Sequence, residues 1–434
     1  MAERETWTSR VGFIFAAVGS AVGLGNIWQF PFQTAQNGGA AFLIVLLLVV
    51  FLIGFPAMLA EFVIGRRTER NAIDAFRSLG SSDWRFIGAI GVFTALVTLA
   101  FYSVVGGWVI RYIIASVTGA YFGNAQAYFA AVSSGWAAVG FHALFMAITI
   151  GVVAFGVTDG IERSTKIMIP AIIILLVGMG VWAATLPGAA AGYDYYLTPD
   201  FGKLFANIGT ILPAAVGQAF FTLSLGFGVM IAYASYLGQN DNLLSDGGAI
   251  VIINTLVGVL AGFVVFPILF SLGVEPGSGG TGAAFISLAG AFSRLPVGHI
   301  LGIVFFVVLF FAALSSSISL LEAPVVYVLD NYDYNRGSVA TVLGTIIFVI
   351  GLPTAFSSNY LTLYNNVVYS LLLPFSVLLV VLFLAWGTQS EAIDELRRGS
   401  GVGGVFTRSW VWWLRIVIPI ALIATLGLGI LSFV

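Results

Sequence analysis

The sequence predicts an all-α integral membrane protein with eleven transmembrane helices, and three observations carry that expectation. Of its 434 residues, 59% are hydrophobic and only 8% are charged. Its mean hydropathy of +1.04 lies outside the range of domains that fold in water. Apolar runs long enough to cross a hydrocarbon core, about 20 residues at about 1.5 Å each, recur along the whole chain. The longest cytoplasmic polar stretches, 65–85 and 387–410, are too short to fold as a soluble domain.

The runs lie at about 11–36, 40–64, 86–117, 138–157, 167–187, 209–237, 246–271, 298–329, 338–354, 362–386 and 411–433. Ahead of the first, Met1–Arg10 is a short polar lead with no small-residue cleavage site, so the first helix is expected to be retained. With the N-terminus in the cytoplasm, 14 of the 17 basic residues fall on that side. Only Lys203 and Arg294 fall in outside loops, and Arg111 lies within a helix. Lys/Arg bias sets orientation. The expectation is a multi-pass protein of the plasma (inner) membrane with its N-terminus cytoplasmic and its C-terminus outside. The stretch 275–297 begins glycine-rich and continues as a short amphipathic piece ending at Pro296, suited to capping an outer vestibule.

Composition removes several chemistries. No cysteine is present, and two histidines, His142 and His299, cannot build a His-based metal centre by themselves. Both histidines lie near membrane–water boundaries and read as interfacial structural residues. No basic tract suggests nucleic acid. An intramembrane enzyme would need a nucleophile with a base, or a ligand cluster, and no His/Asp/Glu group offers one.

Two of the apolar runs are broken. The first is interrupted by Gly19-Ser20-Ala21-Val22-Gly23-Leu24-Gly25-Asn26, with Pro31 beyond. The sixth is interrupted by Thr222-Leu223-Ser224-Leu225-Gly226-Phe227-Gly228, with Pro213 upstream. Glycine is a poor helix former and clears space for a close ligand, so these stretches are expected to unwind at mid-membrane. Backbone freed there must face protein or a water-filled cavity, where half-helix N-termini attract anions and carbonyls coordinate cations. A single such break reads most simply as close helix packing. Two breaks, in segments one and six, match a five-plus-five inverted repeat, the arrangement that marks a transporter site. The chain then reads as one transporter domain, 1–434, with repeats at about 11–187 and 209–386 and an extra helix at 411–433. A channel or facilitator is the rival, but a channel needs a continuous polar lining, and paired breaks fit occlusion better.

At these residues the sequence resembles the neurotransmitter:sodium symporter family. The resemblance is carried by Trp7-Thr8-Ser9-Arg10-Val11-Gly12, GSAVGLGNIWQFP (19–31), QNGGAAF (36–42), GIERSTKIMIP (160–170), AFFTLSLGFG (219–228), YASY (233–236) and LSSSISLLEAP (314–324). It spans about residues 7 to 330, while segments nine to eleven match only in hydropathy. Eleven helices suit some prokaryotic members. The resemblance implies a sodium-coupled symporter for a small neutral amino acid or related zwitterion, working by alternating access.

It also implies a set of ligands. A first Na⁺ would be held by the Ala21 carbonyl, Asn26, Thr222 and Asn254, completed by the substrate carboxylate. A second would sit on the carbonyls of Gly19, Val22 and Ala312 and the hydroxyls of Ser315 and Ser316. Neutral oxygen ligands suit a hard monovalent cation. Proton-coupled relatives place a lysine there from helix five, which here has none beyond its cytoplasmic end at Lys166. The serines at 315–317 also suit backbone-bonded helix packing. The substrate carboxylate would meet the amides of Leu24 and Gly25 and the Tyr102 hydroxyl. Its ammonium would meet carbonyls of Ala21, Phe221 and Thr222 and the Ser224 hydroxyl. Ser20, Thr98, Phe221, Phe227, Ser316 and Leu320 would surround its side chain. Aminergic members carry an aspartate where this chain has Gly23, so the expected substrate brings its own acidic group.

The chain departs from the family in two places. An outer gate usually pairs arginine with aspartate, but here the first position is Gln29, and no acid occurs between Tyr334 and Ser390. The gate is expected to close through Gln29 hydrogen bonds and Phe227. Around the anion site Gln218, Thr222 and Asn254 are kept, whereas Leu46 and Gly258 replace the remaining ligands. Chloride and proton coupling both stay open. Arg4, Trp7 and Asp330 match the inner gate, with Tyr236 near it. Glu61 and Glu322 are acids within the membrane, functional candidates by default. Glu322 has two readings, a structural hydrogen bond to a neighbouring helix or a proton-linked step. The sequence leaves the oligomeric state unknown.

Overall fold

The computed structural model describes residues 6–431, apart from Ser81, Glu275, 277–281 and Ala283. Among these residues every regular element is helical. In chain order the helices are α1 (Arg10–Ala21), α2 (Gly25–Gln36), α3 (Ala40–Thr68), α4 (Ala72–Leu79), α5 (Ser82–Thr118), α6 (Ala125–Val132), α7 (Gly135–Ala154), α8 (Val157–Ala184), α9 (Ala189–Leu197) and α10 (Phe201–Ala206). There follow α11 (Ile208–Thr222), α12 (Val229–Ala234), α13 (Leu243–Ser271), α14 (Ala289–Phe292), α15 (Gly298–Asn331), α16 (Arg336–Phe356), α17 (Ser358–Gly387), α18 (Gln389–Arg397) and α19 (Gly404–Leu431). Nine of the described helices are long and apolar enough to cross a membrane, and the bent pair α1/α2 makes ten. The sixth run is divided differently from the others: α11 is apolar but shorter than a span, and α12 follows only after residues 223–228. Much of the glycine-rich part of 275–297 lies outside the described residues, and the remainder includes α14.

The broken elements are central. α1 packs against α8, α13 and α15, while α11 and α12 both lie along α3. Around them α5, α7, α15 and α16 pack against one another. The most apolar windows of α5 and α15 are 72% and 67% buried, against 33% for α7, α8 and α19, so the latter three face outward. Their exposed Ile167, Ile174, Leu144 and Ile420 form a lipid-facing surface.

Most of the paired charges gather at one end of the bundle. Asn71 caps α4 by accepting from the amides of Ile73 and Asp74 at 3.0 and 2.9 Å. Asp74 receives Asn71 and Asn331 side chains at 2.9 and 2.6 Å and pairs with Arg85 at 3.0 Å. Burial alone would raise its carboxyl, but these partners outweigh that and hold it below the usual range. Deeper in, the fully buried Arg66 donates through Nε to Glu395 of α18 at 2.6 Å, and also to the carbonyls of Glu395 and Asp241. One guanidinium thus fastens α18 to α3 and to the link between α12 and α13.

Two outcomes are expected. Arg66→Ala removes the buried partner of Glu395, leaves it only the more exposed Arg398 and Arg67 at 3.3 and 3.7 Å, and destabilises the detergent-solubilised protein by about 2–4 kcal/mol, while the apolar pair Arg66→Met/Glu395→Leu recovers much of the loss. Thermal melting of the three variants checks this, and an Arg66→Ala melting point equal to wild type contradicts it. Asp74→Asn lowers the melting temperature at pH 7 by a few degrees. Because the depressed carboxyl contributes only while ionised, that gap closes as pH falls below about 4.

Candidate functional site

α1 ends at Ala21, the chain leaves helical geometry at Val22–Gly23, and α2 resumes with a 48° bend. α11 ends at Thr222, and residues 223–228 turn through the left-handed region, with φ of 53° at Ser224, 79° at Gly226 and 73° at Gly228. Glycine takes that conformation without penalty. Ser224 does not, and its hydroxyl donates to the Ser20 carbonyl at 2.8 Å, which ties one break to the other. The remaining exposed backbone is met from neighbouring helices. Glu61 of α3 accepts the Gly226 N–H at 2.8 Å, and Gln218 Nε2 donates to the Gly25 carbonyl at 2.8 Å.

Between the breaks lie two clusters of neutral oxygen atoms. In the first, Asn26 Oδ1 accepts from Thr222 Oγ1 at 2.8 Å and from the Gly23 amide at 3.1 Å, and Asn26 Nδ2 meets Asn254 at 2.9 Å. The Asn254 amide stands 3.1 Å from both the Ala21 and Thr222 carbonyl oxygens. With its nitrogen toward them it donates two hydrogen bonds, and with its oxygen toward them it completes a shell of oxygens. In the second cluster Ser315 Oγ lies 3.3 Å from the Val22 carbonyl and 3.1 Å from that of Ala312. Ser316 Oγ is 3.5 Å from the Gly19 carbonyl and 2.8 Å from that of Ser20. Every residue expected in a sodium shell therefore falls in one of these two groups.

A small cavity adjoins both clusters. Its walls include Ser20, Ala21, Gly23 and Gly25 from the first break, and Phe221, Ser224 and Phe227 from the second. Thr98 and Tyr102 of α5, with Ser316 and Leu320 of α15, complete it. Of the expected substrate contacts only Leu24 and Thr222 are not in the wall. Leu24 stands just behind it, its amide donating to the Tyr102 hydroxyl at 3.0 Å. Gly23 has no room for a side chain: a Cβ there would overlap the Ser316 hydroxyl and stand 2.8 Å from that of Tyr102. No wall residue is charged.

Three comparisons with known proteins bear on this site. The model of the sodium:neurotransmitter symporter family matches residues 4–122 and 135–434. The chain belongs to that family. An uncharacterized sodium-dependent transporter of Bacillus subtilis, YhdH, is 37% identical over 98% of each chain, and one of Haemophilus influenzae is 33% identical over 97% of each. Among solved structures, that of MhsT in complex with L-phenylalanine superposes with a TM-score of 0.91 at 38% identity, covering 98% of this chain and 100% of its own. The protein is thus a sodium-coupled membrane transporter, and members of its family are transporters rather than enzymes.

On one side of the symporter's cavity the aromatic residues are arranged differently from the sequence expectation. Phe221 lies 6.4 Å from Tyr102, 6.2 Å from Phe227 and 5.9 Å from Tyr369 between ring centres, so it is the ring that bridges the group. Tyr369 of α17 donates to Gln218 Oε1 at 2.5 Å, which joins α17 to the Gly25 carbonyl through one amide. Sequence reasoning missed Tyr369, because α17 carries no motif beyond hydropathy. Gln29 is buried, and its Oε1 has no hydrogen-bond partner.

On the other side Trp7 donates to the Tyr233 carbonyl at 3.0 Å and packs edge-on against Tyr236. Tyr236 donates to Glu322 at 3.2 Å, and Arg336 at the start of α16 meets the same carboxylate at 2.8 Å. Of the two readings of Glu322, this geometry favours a structural ion pair and also adds Arg336. Asp330 accepts from the amide and side chain of Asn71 at 3.1 and 2.9 Å. Arg4 lies outside the described residues.

Gly23→Ala is expected to lower sodium-driven uptake by roughly tenfold to a hundredfold, because the added methyl displaces the Ser316 and Tyr102 hydroxyls by a fraction of the length that matters in a binding site. Uptake by proteoliposomes measures this, and a wild-type rate would contradict the close approach.

Proposed function

We propose that this symporter carries a small neutral amino acid or related zwitterion into the cell together with Na⁺, by alternating access. The observation that carries this reading is the uncharged cavity flanked by two neutral oxygen clusters. A cation held only by neutral ligands in a low-dielectric site needs a counter-charge. No wall residue supplies one, so an anionic group on the substrate is the natural source. The tight fit at Gly23 supports this, since an aspartate cannot be seated there without moving Ser316. MhsT, the similar structure bound to L-phenylalanine, supports an amino-acid substrate.

In this reading the first Na⁺ is held by Ala21, Asn26, Thr222 and Asn254, with the substrate carboxylate beside it. The second is held by Gly19, Val22, Ala312, Ser315 and Ser316. The carboxylate lies against the Leu24 and Gly25 amides and the Tyr102 hydroxyl, and the ammonium against carbonyls of Ala21, Phe221 and Thr222 and the Ser224 hydroxyl. The ring group centred on Phe221, with Phe227 and Gln29, closes the outer side. Trp7, Tyr236, Asp330 and Arg4 belong to the inner side. α11 and α12 count together as one span, which makes eleven helices arranged as two inverted repeats of five and a final helix. In this reading the ion-paired end of the bundle, which carries Arg66, Arg67, Arg336, Arg397 and Arg398, faces the cytoplasm, a direction supported by the Lys/Arg bias.

A second cavity lies beside the first oxygen cluster, lined by Leu43, Leu46, Leu47, Val50, Asn26, Gln218, Thr222, Thr255 and Gly258 among others. Its amide donors serve the Gly25 carbonyl and Asn254, and the Thr222 hydroxyl serves Asn26, but the buried Thr255 hydroxyl has no hydrogen-bond partner. Uptake compared in chloride and in gluconate decides whether an anion takes part there.

The deciding measurement is a sodium titration of substrate binding. Asn26→Ala and Ser315→Ala should each raise the half-saturating Na⁺ concentration by roughly tenfold, a loss of one ligand to a charged group. Unchanged titrations in both variants would remove the ion assignment, and binding equal in K⁺ and Na⁺ would remove the coupling.

A further inference from the structure

Thr98 is fully buried, lines the substrate cavity, and has a hydroxyl with no hydrogen-bond partner. That is unusual for its helix. A buried Ser or Thr in a membrane helix normally satisfies itself on the carbonyl one turn back. Thr94, Ser103 and Ser116 of α5 all do so, at 2.8, 2.6 and 2.7 Å. A buried hydroxyl left unpaired is costly, so its partner is expected among the groups that enter the cavity.

Facing contributions to the same cavity form a floor of serine hydroxyls whose protons are already committed. Ser224 and Ser316 each donate to the Ser20 carbonyl at 2.8 Å, and Ser319, which stands behind Ser20, donates to the Ser316 carbonyl at 2.8 Å. Ser20 Oγ lies 2.9 Å from Ser224 Oγ and 2.7 Å from Ser319 Oγ, but it has one proton for the two. One hydroxyl oxygen therefore always keeps an unfilled acceptor position. The cavity thus presents a spare donor, Thr98, and a spare acceptor, the serine floor.

We propose that the symporter selects amino acids whose small side chain carries a group that both donates and accepts a hydrogen bond, a hydroxyl or a carboxamide, over apolar isosteres. This rests on the amino-acid reading above. Thr98 and Tyr102 are four residues apart and so share one face of α5, one turn of helix, about 5–6 Å, from each other. A substrate whose carboxylate meets Tyr102 places its side chain at the level of Thr98. There a threonine-like hydroxyl accepts from Thr98 and donates into the serine floor. A valine side chain of the same shape leaves both positions unpaired, and sites built to hydrogen-bond a hydroxyl reject the analogue that lacks it.

The test is isothermal titration of the purified full-length chain with L-threonine and L-valine, and with L-serine and L-alanine, in Na⁺ and in K⁺. The expected result is sodium-dependent binding in which each hydroxyl amino acid binds roughly tenfold or more tighter than its isostere. Thr98→Val should bring the threonine-to-valine ratio close to one. Thr94→Val, which removes a hydroxyl already satisfied within the helix, should keep the ratio. Sodium-dependent binding of valine as tight as threonine overturns the selectivity while leaving amino-acid symport standing. A wild-type ratio in Thr98→Val overturns the assignment of Thr98. Binding of none of the four in Na⁺ removes the amino-acid reading for this size class and the inference with it.

Discussion

The structure depends on one constraint: backbone that leaves helical geometry inside a bilayer must be satisfied by protein. The two breaks expose carbonyls and amides where no water is guaranteed, and other elements supply partners for them. Glu61 takes the Gly226 amide, Gln218 reaches the Gly25 carbonyl, and Ser224 and Ser316 converge on the Ser20 carbonyl. What remains after those bonds are made is a set of carbonyl and hydroxyl oxygens pointing at one another, the environment a small hard cation prefers to its hydration shell. In the proposed assignment, ion binding is a by-product of how the breaks are accommodated. No separate binding loop is needed.

The same constraint explains the division of labour among the helices. α5 and α15 are continuous, central and buried, and they supply fixed side chains to the site from whole turns of helix. α1/α2 and α11/α12 supply backbone. The first group can be rigid because its helices run unbroken through the site. The second has alternatives at several atoms, most clearly at Asn254, whose amide fits the Ala21 and Thr222 carbonyls with either end. At the ion-paired end of the bundle the links are ionic instead, and Arg66 and Arg336 each hold a buried glutamate contributed by another helix or turn.

Much of this was legible in the sequence. The breaks announce themselves as glycines inside apolar runs, and the motifs shared with the symporter family name Asn26, Thr222, Ser315 and Ser316 although they lie far apart in the sequence. What was not legible has a common character. Tyr369 acts through Gln218, 151 positions away, and no local pattern in α17 marks it. Arg336 reaches Glu322 from the far side of a turn. Ser319 looks like any small residue in a helix. Thr98 was visible as a wall residue, but the absence of its usual hydrogen bond is a fact about geometry that composition cannot express. The sixth run was expected to be interrupted over Thr222–Gly228, but hydropathy does not register how unequal the parts on either side are: α11 has 15 residues and α12 has six.

The packing at Gly23 has a consequence for how such a site can change over generations. A carboxylate at that position would convert a site for zwitterions into one for amines, yet the Cβ alone collides with Ser316 and crowds Tyr102. The conversion is therefore not one step. Ser316 must first give way to a smaller residue, at some loss to the second oxygen cluster, and only then does position 23 become open to mutation. The order of substitutions is set by a single interatomic gap, so lineages that differ at 23 should also differ at 316 or in the course of the backbone between them.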